Sequence, residues 1–193
     1  MPLDLPAATA ADDAVLAAAR MMFGARGYEA TTFTELAAAA GVSEADLAVA
    51  YPDKRALFTA VLVALEKGLD AHCRAASSNP AGEPMAMFMA GCRAALEFGG
   101  RRDFARIVMI EGPVVLGEAA WIEIDHGLGL PTLRQALRNL APGAGEAAVR
   151  PMAVMVMGAL NELMLALARG EPGLNVDDAL GELQRLLCSW ADR

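Results

Sequence analysis

The residues of this 193-residue chain that could do acid–base, nucleophilic or metal chemistry are few: His72 and His126, Cys73, Cys92 and Cys188, and the carboxylates Glu118, Glu123 and Asp125. A catalytic nucleophile needs a base within hydrogen-bond reach and a third group to orient that base. No nucleophile stands near either histidine in such a motif, and GxSxG, P-loop, HExxH and GxGxxG patterns do not occur. The three cysteines are far apart, odd in number and lack CxxC spacing, so they read as small buried hydrophobes rather than metal ligands. The spacing of the three carboxylates is that of a solvated helix face. The expectation is a protein that is not an enzyme and uses no metal or cofactor.

Binding chemistry fits the residues better. Between positions 84 and 169 the chain is rich in methionine, with Phe88, Phe98 and Phe104 interleaved. Thioethers and aromatic rings make an adaptable apolar lining. Met89, Cys92, Arg106, Trp121, His126 and Asn161 are the candidate ligand contacts. Asn161 and Glu162 are the only polar residues between Met152 and Ala168, and a buried amide needs a partner. The partner expected from this lining is an apolar or amphipathic small molecule.

Helices must position these residues. Apolar residues make up 55% of the chain, with few aromatics and much Ala, Leu and Met, residues that lose little rotamer freedom in a helix. No period-2 run marks a strand, so the fold class expected is all-α, with about nine helices. They fall near 12–26, 32–40, 43–50, 54–76, 84–98, 102–111, 131–140, 146 or 151 to 169, and 176–191. An irregular helical segment is expected over 114–124, after Gly112-Pro113 interrupts the chain. Residues 1–11 read as a loose tail. The chain divides into two domains, 1–56 and 57–193, the first holding three helices. Val176, Leu180, Leu183, Leu187 and Trp190 repeat with 4-3-4-3 spacing, a helix-packing seam. The last two helices are therefore expected to build a two-fold homodimer, with Leu180, Leu183, Leu187 and Trp190 at its interface.

The most sharply signalled stretch is Thr31 to Lys54. Thr32 and Glu35 have capping-box spacing. Gly41 sits where a helix end wants positive φ, and Ser43 with Asp46 can cap the next helix. Helix, glycine turn and capped second helix form a helix-turn-helix in sequence.

With VLAAARMMF at 15–23, Gly27-Tyr28, Thr31-Thr32-Phe33, Leu36-Ala37, AGVS at 40–43, Leu47, Tyr51, Lys54 and Leu57, this stretch resembles the DNA-binding domain of the TetR family of bacterial transcriptional regulators. EGPVVLGEAAWIEID at 111–125 and GALNE at 158–162 are similar to patterns in the family's ligand-binding domains. The resemblance implies a ligand-responsive regulator, in most cases a repressor, that binds double-stranded operator DNA as a homodimer. It also implies contacts to DNA from Thr32, Ser43, Glu44, Asp46 and Lys54.

Two features pull the other way. Net charge is −8, and residues 1–60 carry four cations (Arg20, Arg26, Lys54, Arg55) against eight carboxylates. A nucleic-acid binder neutralises phosphates, and that electrostatic footprint is missing. Where the family commonly has a tyrosine and a histidine on phosphates, this chain has Ala48 and Ala50. Glu44 and Asp46 complement a helix dipole, accept from cytosine N4, or mark weakened DNA binding. The alternative expectation is thus a TetR-like dimeric module that has lost DNA binding and acts through a small molecule or protein. No apolar run free of Gly, Pro and charge approaches a membrane span, and no basic leader precedes an apolar stretch. The location expected is cytoplasmic, with no membrane partner.

Overall fold

The computed structural model describes residues 10–79 and 81–191. Of the tail expected over 1–11, residues 1–9 lie outside the described residues, and Ala10 already begins the first helix. All regular structure among the described residues is helical. The elements are α1 (Ala10–Arg26), α2 (Phe33–Ala40), α3 (Glu44–Ala50), α4 (Lys54–Ala76), α5 (Pro84–Gly99), α6 (Arg102–Phe104), a π-helical segment (Ala105–Glu111), α7 (Gly112–Leu116), α8 (Glu118–Leu140), α9 (Glu146–Arg169) and α10 (Val176–Ala191).

Local signals set the small N-terminal domain. Thr32 Oγ1 accepts from Glu35 N–H, while the Glu35 carboxylate accepts from Thr32 N–H at 2.9 Å, the expected reciprocal box. Gly41 takes φ 71° and closes α2. Asp53 caps α4 through Ala56 N–H at 2.7 Å. On α1, Val15, Ala19 and Phe23 share one buried stripe. Phe23 and Tyr28 both lie 5.2 Å, centroid to centroid, from the Phe58 ring in edge-to-face contact. The first turns of α4 thus belong to the N-terminal core as much as to the larger domain.

That larger domain departs from the sequence expectation in three places. The helix expected to stop before Gly112-Pro113 continues. Pro113 has no N–H for the Met109 carbonyl and its ring crowds that oxygen, and the chain widens into a π segment over the preceding residues instead of ending. The break comes at Gly117, at φ 83°. Second, Pro131, the expected opener of a helix, lies inside α8. It removes the donor for the Gly127 carbonyl, but Gly127 is exposed with open space beside it, so water can take that oxygen. The segment expected at 131–140 and residues 118–124 of the one expected at 114–124 therefore share one long helix, while 114–116 belong to α7.

The third departure concerns the seam. Leu180, Leu183 and Leu187 are buried within their own chain, and Trp190 is half-buried and packs on the same core. The expectation of a dimer interface at these residues assumes that a lone helix offers more apolar surface than its domain can cover. Here α5 covers it, with an Arg93–Asp177 ion pair at 2.6 Å where α10 begins. α9 is long and apolar enough, by length and composition alone, to cross a bilayer. In this fold it packs against α5 and α8, which accounts for its buried apolar face, while Val154 and Met155 stay exposed.

The two domains meet where α1 ends. Gly27 stands at φ 87°, and a Cβ there would come 2.5 Å from Glu111 Oε1. Glu111 Oε2 in turn accepts from Tyr28 N–H at 2.8 Å. Gly27→Ala should therefore cost ~2 kcal/mol, combining left-handed backbone strain with displacement of a carboxylate that holds the junction. Urea unfolding would measure it; an unchanged midpoint would show that the turn relaxes freely.

Candidate functional site

The helix-turn-helix turns one face of α3 outward. Glu44, Ala45, Asp46, Ala48, Val49 and Ala50 are all exposed, Val49 to 88%. Its only charged side chains are acidic, and both are held in place. Glu44 accepts from Thr34 Oγ1 at 2.6 Å, and Asp46 accepts from Ser43 Oγ at 2.6 Å while its own N–H caps onto that hydroxyl. Thr32 likewise donates its hydroxyl to Glu35 at 2.8 Å.

The four cations of this domain are engaged inside the protein. Lys54 donates to the Tyr28 carbonyl at 2.9 Å and lies 4.0 Å from the centre of the Tyr28 ring. Arg26 bridges Glu35 and the Ala30 carbonyl, Arg55 donates to the Leu116 carbonyl, and Arg20 pairs with Asp103. The Arg26 guanidinium, with Thr32, holds the Glu35 carboxyl down to about 2. That contribution to the cap is complete above the ordinary carboxylate range and is lost only as pH falls through about 2. Burial works to raise the Asp103 carboxyl, but Arg20, with the Phe104 N–H and Arg101, more than offsets it and holds the group below its ordinary range. So Thr32, Ser43, Glu44, Asp46 and Lys54 come to one end of the molecule. Each already has an internal partner that a phosphate or base would have to replace.

A second site lies in the larger domain. α4, α5, α8 and α9 enclose a cavity of about 100 Å³ whose wall is mostly apolar, with Leu69, Met87, Phe88, Met157, Leu160 and Met164 on it. Polar groups interrupt that wall at Glu66 and Asp70 on α4, Asp125 and Thr132 on α8, and Asn161 on α9. Asn161 Nδ2 donates to Asp125 Oδ2 at 3.4 Å, and Thr132 Oγ1 donates to Asp70 at 2.6 Å. Burial pushes the Glu66 carboxyl up to about 8, with Asp125 and Asp70 adding to it. Burial also raises Asp125, against the pull of His126 and Asn161. The Cys92 thiol on the same wall is pushed to about 12 by burial, so it behaves as an inert hydrophobe. An outer groove of about 510 Å³ adjoins the cavity, sharing Ser77, Met87, Phe88, Thr132 and Ala136, with Arg74, Gln135 and Asn139 at its rim.

Of the residues expected to meet a ligand, Cys92 and Asn161 lie on the cavity wall. The other four stand elsewhere. Met89 is half-buried against the core beside the cavity. Arg106 donates to the Ala25 carbonyl at 2.8 Å, so its charge serves the domain junction. Trp121 packs over α7, its Cδ1 2.9 Å from where a Gly112 Cβ would be, and its indole N–H is buried without a partner. His126 faces a separate outer groove with Arg134, Glu146 and Arg150. The expected site also lacks α4, whose Glu66 and Asp70 supply most of the cavity's charge. A signal is present in the sequence: Phe58, Leu62 and Glu66 recur at i, i+4, i+8, so Glu66 sits on the helix's apolar stripe.

A helix-turn-helix joined by one long helix to a chamber that this helix lines with three others defines a class: the one-chain helical regulators that pair a small reading domain with a larger helical one. The chain belongs to the TetR family. Residues 15–61 match the family model of bacterial regulatory proteins, tetR family, and residues 85–189 match that of the tetracyclin repressor-like C-terminal domain. Among solved structures it is similar to the fatty acid degradation regulator FadR from Bacillus halodurans, with a TM-score of 0.76 at 16% identity over 94% of this chain and 96% of that one. It is similar also to a TetR-family transcriptional regulator from Pectobacterium atrosepticum, with a TM-score of 0.73 at 27% identity over 91% of each chain. Superantigen PfiT has the same fold, with a TM-score of 0.72 at 20% identity over 92% of this chain and 95% of that one. No curated protein matches the sequence.

Proposed function

We propose that the protein is a homodimeric, ligand-responsive transcriptional regulator that binds operator DNA through α2 and α3 and holds a small molecule among α4, α5, α8 and α9. The observation that carries this is the double role of α4. Its first turns pack Phe58 against Phe23 and Tyr28, and its later turns place Glu66, Asp70 and Cys73 on the cavity wall. A ligand that binds the two arrangements of α4 unequally shifts the reading domain by that difference in affinity. The test is anisotropy of labelled DNA flanking the protein's own coding region, with and without apolar and amphipathic compounds. Saturable binding altered by a compound supports the reading. Binding that no cavity ligand alters would remove the ligand-responsive part.

The acidic face of α3 favours a second reading, a TetR-like module that has lost DNA binding. Absence of binding to any flanking fragment at low salt would establish it. A regulator that works in the cytoplasm by binding rather than catalysis is the setting we propose.

The dimer contact is proposed on the outward faces of α9 and α10. Met155 is 59% and Leu186 68% exposed, with Val154 also exposed and open space beside Gly158 for a second helix. Met155→Glu with Leu186→Glu should give folded monomers by light scattering. Leu187 is wholly buried in its own chain, so Leu187→Ala should instead lower stability by ~3 kcal/mol. A double variant that kept the dimer mass would place the interface elsewhere.

A further inference from the structure

We infer that the cavity selects organic cations, a protonated amine carrying an apolar tail, with Glu66 and Asp125 as the groups that read the charge. The inference rests on the reading of this cavity as a ligand site. Glu66 is 3% exposed, lines the cavity, and its Oε1 has no hydrogen-bond partner within the protein. A buried carboxyl group with an unpartnered oxygen is far less favourable than the Leu or Met that the rest of the wall uses. Its counter-charge is not supplied by the fold. No Lys or Arg lines the inner cavity among the described residues.

The groups facing Glu66 are Asp70 and Cys73 on α4, Cys92 on α5, Asp125 with His126 beside it on α8, and the neutral Asn161 on α9. Arg74, at the rim of the outer groove, pairs with Asp70 at 2.8 Å and leaves the inner two carboxylates alone. His126 Nε2 is 3.9 Å from Asp125 and half-exposed on the far side. Two carboxylates therefore converge on an apolar chamber with nothing positive inside it. The Phe88 ring is on the same wall, and an aromatic face attracts a cation. The inner chamber has room for an ammonium group and a few methylenes; the outer groove, entered past Met87 and Phe88, has room for a longer tail.

Occupation by a cation also moves a proton. Glu66 holds its proton at neutral pH in the empty site, and an ammonium beside it favours the carboxylate. The proton leaves to solvent as the ion pair forms.

Three probes of one length separate the possibilities: octylamine, octan-1-ol and octanoate, titrated calorimetrically into the full-length protein at pH 7 in two buffers of different ionisation enthalpy. Octylamine should bind at least tenfold more tightly than octanol, octanoate should be weakest, and amine binding should release close to one proton. Glu66→Gln, which keeps the shape of the wall, should abolish the proton release and bring amine and alcohol to within threefold; Asp125→Asn should narrow the preference in the same direction and serves where Glu66→Gln does not fold. Octanol or octanoate binding as well as octylamine would overturn the charge assignment while leaving the cavity reading intact, as would an amine preference unchanged in both variants. Failure of all three probes to bind would overturn the cavity reading together with it.

Discussion

Glu66→Gln should make the protein markedly more stable at pH 8 and leave it nearly unchanged at pH 5. In the unfolded chain this carboxyl titrates near 4.5, and in the folded protein near 8, because burial disfavours the charged form and Asp125 and Asp70 repel it. Between those pH values the folded form keeps a proton that the unfolded form has lost. Stability therefore falls as pH rises from about 4.5 toward about 8, and levels off above. Glutamine carries no such proton and escapes the loss. At ~1.4 kcal/mol per pH unit the full interval amounts to as much as ~4–5 kcal/mol, and local relaxation with water entry reduces it to ~2 kcal/mol or more. Asp125 titrates upward in both proteins, so it largely cancels from the comparison. Urea unfolding at the two pH values measures the difference. An equal offset at pH 5 and pH 8 would show that the carboxyl does not hold its proton.

Operator binding should be weak and its salt dependence shallow, and two added lysines should change both. Binding strength to DNA tracks the number of phosphates neutralised, with a slope of log K against log salt of about −0.9 for each. The four cations of the N-terminal domain are bonded within the protein, to Asp103, Glu35, the Tyr28 carbonyl and the Leu116 carbonyl. Releasing any of them for a phosphate sacrifices an existing interaction. Ala48 and Ala50 are exposed, so Ala48→Lys with Ala50→Lys adds cations without touching the core. If both meet phosphates in both subunits, the slope steepens by ~3.6, and affinity at low salt rises roughly 10–100-fold. Anisotropy titrations from about 50 to 200 mM salt, the range over which counterion release is most readily read, give both quantities. Wild-type binding that is already tight and steep would mean that the face of α3 is not what meets the DNA.

The parts of this molecule that can be read from its sequence are those decided within a few residues of chain. The Thr32–Glu35 box, Gly41 at positive φ, Ser43 with Asp46, and Asp53 before α4 each depend on one turn of backbone, and each is formed. What meets a helix face from across the fold is a different matter. Leu180, Leu183 and Leu187 have the spacing of a seam, and spacing does not say whether α5 of the same chain or a second chain covers it. Pro131 and Pro113 carry strong local signals for a helix break, but an exposed carbonyl at Gly127 and a widened turn after Phe104 absorb them. At the cavity, Cys92 and Asn161 stand out as unusual residues in an apolar stretch. Arg106, Trp121 and His126 stand out for the same reason, and tertiary packing places them elsewhere. Glu66 is inconspicuous because a glutamate in a helix looks solvated until the stripe it shares with Phe58 and Leu62 is traced.

The π-helical segment between α6 and α7 decides how the two domains are keyed together. Asp103 grips α1 through Arg20, and Glu111 grips the turn just after it through the Tyr28 N–H. They are eight residues apart in sequence, and at 3.6 residues per turn such a pair would point ~80° away from each other. The wider winding over Ala105–Glu111 takes up the surplus residue and brings both carboxylates to the same side. The alignment of the anchor is thus a matter of counting rather than of side-chain identity. A residue gained or lost in this stretch acts as a rotation of one domain's handhold relative to the other's, even where every contacting side chain is kept.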